Sequence, residues 1–115
     1  MILVTGGMAS GKRSYARSLG YSSEQIADAV LDGRPVVANA QELAAGCSGS
    51  LEELAERLAQ KDVVICTEQG CGLVPADAAQ RLQRERAGRL AVLLAQRATS
   101  VVRMVCGIPQ TIKGA

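Results

Sequence analysis

The residues best suited to do chemistry form one short motif, Gly6-x-x-x-x-Gly11-Lys12. The apolar run 1–4 leads directly into it, and a helix-like stretch follows. This order of strand, glycine-rich turn and helix is typical of a P-loop, in which backbone N–H groups and the lysine ammonium bind phosphate oxygens. The alternative is a chance match in an ordinary strand–turn–helix connection. The context favours a P-loop, whose predicted phosphate-binding residues are Gly6, Gly7, Met8, Ala9, Ser10, Gly11, Lys12, Arg13 and Ser14.

The position after Lys12 departs from this motif. A P-loop normally has Ser or Thr there, and its hydroxyl binds Mg²⁺, whereas this chain has Arg13. Ser14 lies one residue further along the helix, which turns its side chain away by about 100°. Arg13 either neutralises phosphate charge itself or is a solvated arginine of the first helical turn. We therefore expect phosphate binding in which the contribution of Mg²⁺ is weakened.

A second group of candidates follows the apolar run 63–66. The loop 67–75 contains Gly70 and Gly72, and Glu68 is a carboxylate at the end of the preceding strand. Open α/β sheets bind ligands at the carboxyl ends of their strands, so Glu68 is a candidate Mg²⁺ ligand or a group that polarises an attacking atom. The alternative, a solvated Glu68 beside glycines that only form tight turns, fits the spacing equally well.

Composition limits the classes of function. A chain of 115 residues predicts one domain, 1–115. A formal net charge of +2 and two tyrosines predict no binding to nucleic acid. No apolar stretch reaches about 18 residues and no basic leader precedes the first apolar run, so we expect no membrane association and a cytoplasmic location.

Cysteine and histidine usage narrows the chemistry further. The four cysteines show no Cys-x-x-Cys spacing, which argues against a structural zinc or a disulfide framework. We expect Cys66 and Cys106, at strand ends, to be small core residues. The chain has no histidine, so no phosphohistidine or nucleotidyl-histidine can form and no imidazole can act as a general base.

Hydrophobic patterns predict alternating strands and helices, and therefore an α/β fold in which helices sandwich a small, mostly parallel sheet. The two continuous apolar runs that each feed a glycine loop are expected to be central strands, at 1–5 and 63–67. The predicted strands are 1–4, 36–38, 63–66, 101–106 and a possible edge strand at 111–113. The predicted helices are 11–20, 22–31 (capped by Ser22 or Ser23), 50–60 (capped by Ser50) and 75–98.

Three segments resemble the bifunctional adenosylcobinamide kinase/adenosylcobinamide-phosphate guanylyltransferases of cobalamin biosynthesis. They are residues 1–12; the motif Glu68-x-Gly-x-Gly-Leu-Val-Pro75 with Ala87-Gly-Arg89 in the following helix; and the tail 105–113. The resemblance implies a RecA-like P-loop fold, ATP or GTP as nucleotide, a corrinoid as acceptor and a homotrimer. It also implies catalytic roles for Lys12, on the phosphates, and Glu68, on the metal or the acceptor, and adds Arg89 as a nucleotide contact.

The departures from the family pattern bear on activity. Family members are longer between the first helix and the strand at Val63, where they carry the histidine that accepts GMP, and an Asn-Gln pair follows their Gly-Arg. The sequence therefore excludes guanylyl transfer by the histidine route and weakens the case for kinase activity. Three hypotheses remain: a kinase that phosphorylates a corrinoid hydroxyl, a non-catalytic phosphate- or nucleotide-binding partner (a pseudoenzyme), or a remnant that binds nothing well.

Overall fold

The sheet places the predicted glycine loop at the carboxyl end of a central strand. The computed structural model describes residues 1–7, 10–46, 49–68 and 77–114. The described residues form six strands: β1 (Ile2–Gly6), β2 (Ile26–Asp28), β3 (Val36–Ala38), β4 (Val63–Thr67), β5 (Ser100–Val105) and β6 (Ile108–Lys113). The strand order is β2-β3-β4-β1-β5-β6, parallel except for β6, which is antiparallel to β5. The two apolar runs are thus central strands, as predicted.

The central strands are apolar because helices cover both of their faces. In β1, Leu3 and Val4 point to opposite faces and are both buried. Ile2 lies opposite Val63 on one side and Ser100 on the other, so β1 is hydrogen-bonded along both edges. The carboxyl ends of β4, β1 and β5 therefore meet at one edge of the sheet, where the glycine loop begins.

The described residues contain four helices: α1 (Lys12–Ser18), α2 (Ala40–Gly46), α3 (Leu51–Leu58) and α4 (Ala78–Arg97). Helix α1 covers one face of the sheet, where Ala16 packs with Val4 and Ile65. The other three helices cover the opposite face, and their buried residues include Leu58 and Leu90. This is the predicted three-layer α/β sandwich.

Helix ends follow the capping signals of the sequence. The Ser50 hydroxyl accepts a hydrogen bond from the Glu53 N–H at 3.3 Å and begins α3. Asp77 begins α4, since its carboxylate accepts from the Gln80 N–H at 2.7 Å. The predicted start of that helix at Pro75 lies outside the described residues. No helix of the described ranges is long and apolar enough to span a membrane.

Three sequence predictions were wrong or incomplete. The predicted helix 22–31 is a single 3₁₀ turn (Ser23–Gln25) followed by β2, because pairing with β3 buries Ile26 in the sheet. Helix α2 was missed, because its buried face uses small alanines that give a weak apolar pattern. Cys66 is buried as predicted, but Cys106 is exposed at the tight β5–β6 turn with φ of +50°.

Candidate phosphate-binding site

The backbone of the loop after β1 requires glycine at two positions. Gly6 has φ of +153°, and a Cβ there would lie 2.5 Å from the Ser10 hydroxyl and 2.7 Å from the Met104 carbonyl oxygen. Gly11 has φ of +92°, and its Cβ would lie 3.3 Å from the Gly107 Cα. Both glycines of the motif are thus explained by conformation and close approach. Met8 and Ala9 lie outside the described residues.

Neighbouring strands hold the loop at both ends. The Glu68 N–H, just after β4, donates to the Gly6 carbonyl at 2.8 Å. The Gly107 N–H, in the β5–β6 turn, donates to the Ser10 carbonyl at 3.0 Å. Because both anchors are backbone groups, the positions of Gly6 and Ser10 depend on the register of three strands and little on the side chains around them.

Lys12 is a buried charged residue at the end of this loop. Its side chain lies almost entirely within the protein, with the residue 8% exposed. The ammonium Nζ donates to the Gly7 carbonyl at 2.5 Å and lies 3.4 Å from the Ser10 hydroxyl. Burial lowers the pKa of Lys12, and the negative charge of Glu68 partly opposes that shift. The Lys12 ammonium is therefore a buried charge whose described hydrogen-bond partners are neutral oxygens.

A pocket of about 430 Å³ opens beside the start of α1. One wall is formed by residues 10–14, and the other by the carboxyl ends of β3 and β4. The residues of that second wall are Ala38, Asn39, Ile65 and Thr67. The pocket thus brings Ser10, Gly11, Lys12, Arg13 and Ser14 of the predicted set onto one wall.

The side chains after Lys12 are already engaged elsewhere. The Arg13 guanidinium lies 3.3 Å from the Asp28 carboxylate at the end of β2, with both side chains about half-exposed. The Ser14 hydroxyl accepts from Arg17 at 3.3 Å. Within the described ranges, no three carboxylate, cysteine or histidine side chains come together as a metal site would require. Among the described residues, the two positions after Lys12 therefore do not offer the free hydroxyl that binds Mg²⁺ in a P-loop.

The second wall contains a series of hydrogen-bonded polar side chains that the sequence did not predict. The Thr67 N–H donates to Gln41 Oε1 at 3.0 Å, Gln41 Nε2 donates to Asn39 Oδ1 at 3.3 Å, and Asn39 Nδ2 donates to Asp28 Oδ1 at 2.7 Å. Gln41 is buried, and Asn39 has φ of +52°. An asparagine directly after a short strand was the available signal, since asparagine tolerates this backbone region. These hydrogen bonds fix the wall that faces the glycine loop.

Glu68 has a partner that the sequence did not reveal. Arg103 Nε donates to Glu68 Oε1 at 2.8 Å, and Arg103 Nη2 donates to Glu68 Oε2 at 3.2 Å. Arg103 lies on β5, where its Cα is opposite Thr5 of β1. The available signal was the position of Arg103, a charged residue within the otherwise apolar run 101–105, which indicates a side chain with an ionic partner. Both carboxylate oxygens of Glu68 are thus engaged by one guanidinium.

Arg89, the remaining predicted residue, lies apart from this pocket. It is exposed on α4, which covers the face of the sheet opposite to α1. There it lines a shallow cleft together with Glu85, Gly88 and Val92. Its role as a nucleotide contact stays a prediction.

A central parallel strand, a glycine loop and a following helix define a P-loop protein of the α/β class. The profile of one family, cobinamide kinase / cobinamide phosphate guanyltransferase, matches residues 29–112. The chain belongs to this family. The matched range begins after the glycine loop and contains Asn39, Thr67, Glu68 and Arg103, and it also runs through residues 29–62, which the resembling segments left out. A search of curated proteins gave no significant match.

Proposed function

We propose that this family member binds the phosphates of ATP or GTP at the loop 6–14. The observation that carries the proposal is the enclosed ammonium of Lys12, which borders the pocket and has neutral oxygens as its described hydrogen-bond partners. A buried ammonium whose described hydrogen-bond partners are all neutral is costly, so an anion that entered the pocket would gain a strong charge-assisted interaction there.

The volume and the lining residues of the pocket support a nucleotide as the anion. Its volume, about 430 Å³, lies within the range of about 300–1,000 Å³ found for small-molecule sites. The phosphates would lie against the backbone N–H groups of the loop and Lys12. The rest of the ligand would extend along the wall of Asn39 and Thr67, which offers hydrogen-bonding groups beside apolar Ala38 and Ile65.

The chemistry that we propose is narrower than that of the family name. No histidine is present to accept GMP, so we propose that the chain does not transfer a guanylyl group by that route. Phosphoryl transfer to a corrinoid hydroxyl is the second candidate, supported by the family match over residues 29–112. In it Lys12 would bind the transferred phosphate, whereas the engaged state of Glu68 favours binding without transfer. A homotrimer, implied by the family resemblance, belongs to the same proposal.

Calorimetric titration with ATP and with GTP tests the binding. We expect Lys12→Ala to lower the affinity at least tenfold, which corresponds to about 1.4 kcal/mol. Lys113→Ala is the matched control, because it removes the same charge at the other end of the sheet: Lys113 pairs with Val101, whereas the loop follows the pair Gly6 and Met104. The control should stay within about twofold of the wild-type affinity. Equal losses in the two variants would contradict the proposal.

Two activity assays separate the reactions. Incubation with labelled GTP followed by denaturation should leave no label on the protein, since no imidazole is available to hold it. Release of ADP or GDP that depends on added cobinamide and disappears in Lys12→Ala would establish the kinase. Nucleotide binding without such release would establish the non-catalytic alternative.

A further inference from the structure

The carboxylate that the sequence suggests as an Mg²⁺ ligand, Glu68, lies beside the loop and forms an ion pair with Arg103. Glu68 is tied to the loop by its N–H bond to the Gly6 carbonyl at 2.8 Å. Its charge also reaches the loop lysine, since it opposes the downward shift of the Lys12 pKa. A negative charge in this position acts on any anion that Lys12 binds.

Arg103 offsets that charge and occupies both oxygen atoms through which Glu68 could bind a metal. The guanidinium engages both carboxylate oxygens, at 2.8 and 3.2 Å, and planar bidentate pairs of this kind hold a defined orientation. The Glu68 side chain is 30% exposed, so solvent only partly screens it. The second usual ligand, a hydroxyl after Lys12, is replaced by Arg13, which lies 3.3 Å from Asp28.

We propose that Arg103 takes the place of the divalent cation at this site, so that phosphate binding at the loop does not depend on Mg²⁺. This inference rests on the proposed function and adds to it a positioning residue and a mode of charge balance. Arg103 holds Glu68 neutralised, and Lys12 then faces the ligand without an opposing free carboxylate. Removing Arg103 alone would leave that carboxylate uncompensated, which would repel phosphate and attract a metal ion.

The test measures ATP affinity in EDTA and in excess MgCl₂ for wild type, Arg103→Met, Glu68→Gln and the double variant. Methionine keeps much of the length of the arginine side chain without its charge. Arg97→Met is the matched control, because Arg97 forms a similar ion pair with Glu56 at 2.7 Å between α4 and α3. Thermal unfolding of each variant reports whether it is folded.

The proposal predicts how the ATP affinity of each protein changes between EDTA and MgCl₂. Wild type and Arg97→Met should bind ATP with affinities that differ less than about threefold between EDTA and Mg²⁺. Arg103→Met should lose about tenfold in EDTA and recover most of it with Mg²⁺. Glu68→Gln should bind at least as tightly as wild type in EDTA. The double variant should return to about the wild-type affinity in both conditions, since it leaves no uncompensated charge.

Each contrary result has a distinct meaning. A wild-type affinity that rises more than about threefold with Mg²⁺ would overturn the inference and leave nucleotide binding intact. So would a loss in Arg103→Met that neither Mg²⁺ nor Glu68→Gln restores, because a merely structural arginine would behave that way. If wild type and Lys12→Ala are equally unable to bind ATP, the proposed function itself fails.

Discussion

Replacing Gly6 by alanine should lower both the stability of the protein and the phosphate affinity of the loop. The new Cβ would lie 2.7 Å from the Met104 carbonyl oxygen, a backbone atom that cannot move without displacing β5. It would also lie 2.5 Å from the Ser10 hydroxyl. A non-glycine residue in such a backbone region costs about 1–3 kcal/mol, and overpacking adds about 1–3 kcal/mol. We expect a total loss of about 3 kcal/mol in the free energy of unfolding.

Gly7→Ala is the matched control, because it adds the same methyl group to the next residue of the motif. A Cβ at Gly7 would meet no atom of the described residues within 4 Å, and Gly7 does not have a left-handed φ. The control should therefore change stability by no more than about 1 kcal/mol, in either direction.

Urea unfolding followed by circular dichroism measures the difference between the two variants. At about 4 °C per kcal/mol for a domain of this size, Gly6→Ala should also lower Tm by about 12 °C. Phosphate affinity should fall in Gly6→Ala, because Ser10 must move and it is one of the two described contacts of the Lys12 ammonium. Equal stabilities of the two variants would show that the loop does not approach β5 as described.

Three further predictions concern the core and the titrating groups. Burial raises the pKa of Cys66 to about 12. In a variant with Cys47 and Cys71 changed to serine, a thiol reagent at pH 8 should therefore modify Cys106 alone until urea is added. Leu90→Ala should cost about 2–5 kcal/mol in urea unfolding, because Leu90 is fully buried, whereas Leu82→Ala on the same helix, 57% exposed, should cost less than about 1 kcal/mol. Hydrogen bonds from Arg34 lower the pKa of Asp32 to about 2, so Asp32→Asn should lower the free energy of unfolding at pH 7. The difference in stability between the variant and wild type should shrink as the pH falls below about 4 and vanish below about pH 2.

The strength of the local pattern decided which elements could be predicted from the sequence. The central strands were found because burial on both faces leaves runs with no polar residue, as in Val63 to Cys66. Strand β2 was missed because it is short and follows a serine cap that equally fits a helix. Its extended form comes from pairing with β3, and that tertiary interaction leaves no mark in the local sequence.

The residues of the candidate site also differ in how well the sequence predicts them. The glycine positions and Lys12 could be predicted because a short contiguous motif carries them. The partner of Glu68 could not, because Arg103 is 35 residues away in sequence and meets it only through the pairing of β1 with both β4 and β5. The hydrogen bonds from Asn39 to Asp28 of β2 and from Thr67 of β4 to Gln41 of α2 likewise join segments that are distant in sequence. Such contacts depend on sheet register, which the sequence does not state directly.

The central position of β1 also sets the order in which the protein can fold. Its partners are β4, where Val63 faces Ile2, and β5, where Ser100 faces the same residue. Neither neighbour is close in sequence, so every ladder bond of β1 closes a long loop, and such topologies fold slowly. During synthesis the glycine loop emerges before both of its anchors, at Glu68 and Gly107. The anchored form of the loop therefore requires both β4 and β5, and β1 has no neighbouring strand to pair with until β4 has been made.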